Sequence, residues 1–110
     1  MVQAQGTLVE RMLEGFMNSH RPVWAKHTFE CYRSVLEAFY QEFPEMPGGP
    51  VEVINWLRRL EPLRQSEPLK PGTRQDYYER IRYLYRWGRD NVAGAQDLPE
   101  LPYESFASRR

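Results

Sequence analysis

The side chains able to carry chemistry are few. His20 and His27 are the neutral-pH bases of this sequence, and nucleophilic catalysis needs such a base within hydrogen-bond reach of an activated nucleophile. Neither histidine is accompanied by a serine or cysteine in a recognisable nucleophile motif. The single cysteine, Cys31, has no partner for an internal disulfide, and no stretch combines Cys with His at metal-ligand spacing, so neither metal nor cofactor is expected. Seven tyrosines do not by number indicate a nucleophile. Tyr32, Tyr77 and Tyr85 fall on or beside helical core stripes, where an aromatic ring packs. The chain is expected not to be an enzyme by itself.

The cations are placed more suggestively. Lys26 and His27 lead into Thr28, and Lys70 and Gly72 lead into Thr73. Each start combines a cation, a hydroxyl and the unpaired N–H groups of a first helical turn, an arrangement that suits a phosphate. Each threonine is also a natural N-cap, and the two roles are compatible. At about 100° per residue, Arg82, Arg86 and Arg89 share one flank of the helix that follows Thr73, with Gln75 nearby. Asp76, Glu79 and Asp90 are positioned to neutralise parts of that stripe. Arg33 shares the polar side of the helix that follows Thr28. A duplex across the two helix starts would meet Lys26, His27, Thr28, Arg33, Thr73, Arg74 and Gln75 together. Phosphate contacts would position the domain and one or two side chains would read base edges. Fifteen basic and fifteen acidic residues cancel, so any attraction to a polyanion must come from such local clusters.

The elements that must hold these residues are helical. A chain of 110 residues with 41% apolar residues supports one domain with one core. Thr7 and Glu10 form a capping box ahead of Leu8, Met12, Leu13, Phe16 and Met17, which predicts a first helix over 8–19. Pro22 marks a loop. Phe29, Tyr32, Leu36, Phe39 and Phe43 then step by three and four to Pro44. A Pro/Gly segment follows, then a shorter helix from about Val51 to Leu60 carrying Val53, Ile54 and Leu57. The last helix opens at Thr73, carries Tyr77, Ile81, Leu84 and Gly88 on one stripe, and ends near Asn91 with Gly94 beyond. Tyr83 and Trp87 project from its other flank and are expected to pack on the first helix, the linker or a second domain. No segment alternates long enough for a strand. Charges interrupt every apolar run and Met1 to Gly6 lack a signal-peptide pattern, so a cytoplasmic protein without a membrane span is expected. The pattern fades after Asp97. The helical domain is placed at 7–97, with 98–110 as a truncated linker or disordered tail.

The second and fourth helices echo one another: Thr28, Tyr32, Leu36, Phe39 and Tyr40 match Thr73, Tyr77, Ile81, Leu84 and Tyr85 in spacing. With a first helix before the echo, a short helix after a Pro/Gly loop, an aromatic-Arg-Trp tail at Tyr85–Trp87 and a Leu-Pro linker, the chain resembles the tyrosine recombinases. More narrowly it resembles their core-binding domain, the SAM-like N-terminal domain of phage integrases. The resemblance covers Thr7 to Pro102. It departs where family members carry an Asn-Pro step, here Asp97, Leu98 and Pro99, and in being less basic than many. It implies a single-domain orthogonal four-helix bundle that clamps double-stranded DNA for site-specific recombination or integration. A C-terminal catalytic domain of the same parent chain would supply an Arg, His and Tyr set, and other recombinase subunits would join on the DNA. The competing expectation is a helical protein–protein module whose acidic first- and third-helix surfaces bind a partner. One exposed patch of Lys26, Thr28, Thr73 and Arg74 would favour DNA; a large exposed apolar patch around Trp24, Trp56 or Trp87 would favour a protein.

Overall fold

The computed structural model of the chain describes residues 6–47, 49–60 and 71–106. Among the described residues are the helices α1 (Leu8–His20), α2 (Lys26–Glu42), α3 (Pro50–Arg59) and α4 (Pro71–Asn91), and no strand. The fold is all-α, and none of these helices is long and apolar enough to cross a membrane.

Helix α1 starts at the expected capping box. The Thr7 hydroxyl accepts from the Glu10 N–H at 3.1 Å, and the Glu10 carboxylate accepts from the Thr7 N–H at 2.9 Å. Helix α2 starts earlier than its threonine suggests: Ala25 occupies the N-cap and Thr28 lies inside the first turn. The cause is Trp24. Its ring centroid sits 4.4 Å from those of His20 and Tyr32, and its N–H donates to the His20 carbonyl, which reverses the chain just ahead of Ala25. Helix α4 likewise opens at Pro71 and not at Thr73, because a proline lacks the N–H that a first turn would leave unpaired and its φ is already helical. The expected N-cap role of Thr28 and Thr73 is therefore corrected to an interior first-turn position. At the far end, Gly94 takes φ +89, a left-handed conformation that side-chain-bearing residues adopt at a cost. This turn directs the chain back along α4.

Helix α4 packs against each of the other three helices, and α1 also pairs with α2. Met12 of α1 crosses α4 at Gly88, where a Cβ would meet the Met12 Cε at 2.8 Å. The core holds Val9, Met12, Phe16, Leu36, Phe39, Val53, Leu57, Ile81 and Leu84. On α4 the deeply buried tyrosines are Tyr78 and Tyr85, while the expected stripe residue Tyr77 is half-buried. Burial pushes the Tyr85 phenol well above its ordinary range.

Of the three surfaces expected for Tyr83 and Trp87, α1 is the one they pack on. Both ring centroids lie within 5.6 Å of that of Phe16. His20 closes the same aromatic group. Its Nδ1 lies 2.7 Å from the Phe16 carbonyl and its Nε2 lies 3.1 Å from the Tyr83 hydroxyl. A carbonyl only accepts, so the neutral ring carries its proton on Nδ1 and accepts from Tyr83 at Nε2.

Residues 98–106 depart from the expected linker or tail over 98–110, of which 107–110 lie outside the described residues. Leu101 and Phe106 are 2% and 5% exposed and belong to the core. Residues 98–106 run back along α4 as an extended strap with no helix or strand of their own. Two prolines keep the strap out of regular structure, and the carbonyls of Pro99, Leu101, Pro102 and Glu104 accept from side chains instead.

Candidate nucleic-acid interface

The four helices treat their N-termini in two ways. In α1 and α3 a glutamate three residues past the cap turns back on it: Glu10 holds the Thr7 N–H, and Glu52 holds the Gly49 N–H at 2.7 Å. Neither α2 nor α4 has an acidic residue in its first turn. Ala25 has no side chain able to cap, so the first-turn N–H groups of α2 point outward with the positive end of the helix dipole. Lys26, His27 and Thr28 stand exposed around them. The His27 Nε2 lies 3.5 Å from the Cys31 Sγ one turn on. Arg21, also exposed, rests its guanidinium 4.7 Å from the Phe29 ring centroid. Lys26 and Arg21, after Arg33, help hold the Glu30 carboxyl below its usual range.

Several other expected contact residues have intramolecular partners. Arg33 is bracketed by Glu30 at 2.5 Å and Glu37 at 2.9 Å. Arg74 donates to the Leu57 carbonyl and so closes the end of α3. Gln75 uses both ends of its amide on the strap: Nε2 donates to the Glu104 carbonyl at 2.7 Å and Oε1 accepts from the Phe106 N–H at 3.0 Å. Arg82 donates to the Leu101 carbonyl at 2.9 Å and pairs with Glu79. Arg89 donates to the Pro99 carbonyl at 3.0 Å, and the Tyr78 hydroxyl donates to the Pro102 carbonyl at 2.6 Å. Gln75, Arg82 and Arg89 do share one flank of α4, but that flank holds the strap. Arg86 remains exposed, Thr73 is half-buried in the first turn of α4, and Lys70 lies outside the described residues.

The two helix starts do not converge. Tyr32, in the second turn of α2, lies 6.1 Å from Tyr83 between ring centroids, and the Arg80 guanidinium lies 5.5 Å from the Tyr32 ring. Tyr83 is about 15 Å of helix beyond Thr73, so the second turn of α2 lies beside the middle of α4. A separation of that order exceeds the ~12 Å width of a DNA major groove, so the two starts would address different phosphates. Sequence reasoning did not single out Arg21, Arg58 or Arg80. The first lies outside any helix pattern, and the other two acquire their surroundings only through chain folding.

A second polar junction joins α1 to α2. Tyr40 donates a hydrogen bond to Glu10, which holds the carboxyl below its ordinary range, with the Thr7 N–H adding to the effect. A carboxyl depressed in the folded state contributes stability above its unfolded pKa and loses it as pH falls through the folded value. Tyr40→Phe is therefore expected to move the Glu10 titration upward and to shift the acid limb of the stability curve toward higher pH. An NMR titration of the Glu10 carboxyl in both proteins checks this.

No protein-family model, curated protein or solved structure matches this sequence.

Proposed function

We propose that this chain is a duplex-DNA-binding domain of the core-binding kind that tyrosine recombinases carry, an orthogonal SAM-like helical unit working in the cytoplasm. In this reading the chain contributes grip. Strand cleavage and rejoining belong to a catalytic domain of the same parent protein. The observation that carries the reading is the open start of α2. It leaves unpaired N–H groups, an uncapped dipole and the exposed Lys26, His27 and Thr28 together, with no first-turn acid to compete. A neutral protein that closes the starts of α1 and α3 with its own glutamates, and leaves this one open beside cations, has concentrated its anion affinity locally.

Isotope-labelled protein titrated with a duplex at about 50 mM and again at about 200 mM salt tests the proposal, because phosphate-driven binding weakens steeply with salt. Amide shifts centred on Lys26 to Thr28 and weakened at the higher salt are expected. Lys26→Ala should lower the salt slope by about 1 and weaken binding evenly across sequences. Absence of shifts at both salts sinks the DNA reading.

One observation favours a protein partner instead. A groove of about 340 Å³ between α1 and α2 is lined by Leu13, Met17 and Leu36 and edged by Glu14, Glu37 and Arg21. A domain that ignores DNA would take its partner at this groove, since Trp24, Trp56 and Trp87 are all at least half-buried and leave no large apolar patch of their own.

A further inference from the structure

The end of α3 and the start of α4 meet at a cationic corner. Arg58 and Arg59 lie in the last turn of α3, where the negative end of the helix dipole favours them; Arg59 pairs with Glu42 of α2 at 3.4 Å, and Arg74 reaches across from α4 to the Leu57 carbonyl. The strap brings an anion to this corner. Glu104 places its carboxylate 2.7 Å from Arg58, while its own carbonyl accepts from Gln75. The Arg58 guanidinium also lies 5.0 Å from the Phe106 ring centroid. A carboxylate paired with a guanidinium has the charge and hydrogen-bonding character of a phosphate bound at the same place. We propose that Arg58, at this corner, is a second phosphate contact for DNA, held shut by the Glu104 carboxylate as an internal stand-in, and this proposal rests on the DNA reading above.

The pair is suited to exchange. Arg58 and Glu104 are 48% and 34% exposed, and ion pairs in such surroundings contribute little to stability and weaken with salt. Glu104 can swing out without moving the buried anchors Leu101 and Phe106, so opening the site leaves the fold intact. Arg58 is thereby kept from unselective polyanion binding until a duplex, already held at α2, raises the local phosphate concentration.

The test compares Glu104→Gln with Glu100→Gln by duplex titration across salt. Both remove one negative charge from the strap, but Glu100 is exposed and makes no ion pair among the described residues. Glu104→Gln is expected to bind more tightly than wild type and to steepen the salt slope by ~0.9, the value for one added phosphate contact. Between about 50 and about 200 mM salt that slope adds a further ~3.5-fold loss of affinity. Glu100→Gln should show neither change, and adding Arg58→Ala to Glu104→Gln should abolish the gain. Unchanged exchange protection of the Phe106 amide verifies that the strap stays seated. Equal behaviour of the two glutamine variants, or a gain that survives Arg58→Ala, overturns the latch while leaving the α2 site standing. Absence of binding by wild type and every variant overturns the DNA reading and the latch with it.

Discussion

Phe16→Ala is expected to destabilise the domain by about 3–5 kcal/mol, the range for removing a buried aromatic ring and leaving a cavity. Phe16 is fully buried and its ring is the hub of the aromatic group. His20 lies 4.2 Å away, Tyr83 5.5 Å, Trp87 5.6 Å, Trp24 5.7 Å and Tyr32 5.9 Å between centroids. Those partners come from α1, α2, α4 and the turn between the first two, so the cavity would loosen three helices at once. Relaxation into the gap is resisted because His20 is tied at both ring nitrogens. At 4–8 °C per kcal/mol for a domain of this size, the midpoint should fall by on the order of 20 °C. Phe16→Leu, which keeps most of the volume, should cost less than about 1.5 kcal/mol. Thermal melts followed by circular dichroism decide it. A loss below 1 kcal/mol for the alanine variant would mean that the aromatic group is not the joint between these helices.

The second large effect concerns the strap. Leu101→Ala should cost about 2–5 kcal/mol, as for a fully buried leucine, and Phe106→Ala about 3–5 kcal/mol. If residues 98–106 were an unstructured linker, both would lie within about 0.5 kcal/mol of wild type, as exposed substitutions do. The two readings therefore differ by several-fold in a single denaturation experiment. Hydrogen exchange gives an independent check. The Phe106 N–H donates to Gln75 and should be protected, whereas a linker amide exchanges freely.

The strap also changes what the basic flank of α4 can do. Gln75, Tyr78, Arg82 and Arg89 lie three, four and seven residues apart and meet the carbonyls of Glu104, Pro102, Leu101 and Pro99 in reverse order. A Pro-containing extended segment has no ladder of its own, and buried or half-buried carbonyls left without donors would cost stability. A polar stripe at helical spacing supplies those donors. Arginines that read as a DNA-facing row in one dimension thus act as structural donors in three. The open start of α2 is left as the best-supplied anion site, with Arg86 available on α4.

Much of this molecule is decided over short stretches of chain. The Thr7–Glu10 capping box, the apolar steps from Leu8 to Met17, the Pro44 and Pro50 boundaries and the Gly94 turn all involve residues within a few helical turns. Their physics is backbone geometry, capping and periodicity, which a linear pattern records directly. The all-α class and the approximate helix bounds follow from it, whereas which surface Tyr83 and Trp87 would cover does not. Tertiary structure decided the rest. Thr28 lost its capping position because Trp24 reverses the chain to join Phe16 and His20. Tyr78 was buried in place of Tyr77, and Leu101 and Phe106 joined the core, because α4 offers the strap a matching face. Arg74, Gln75 and Arg82 found partners 17 to 31 residues away. Whether a charged side chain is free or engaged depends on which carbonyl or carboxylate the fold brings within about 3 Å, and spacing along one helix carries no information about the segment that will lie across it.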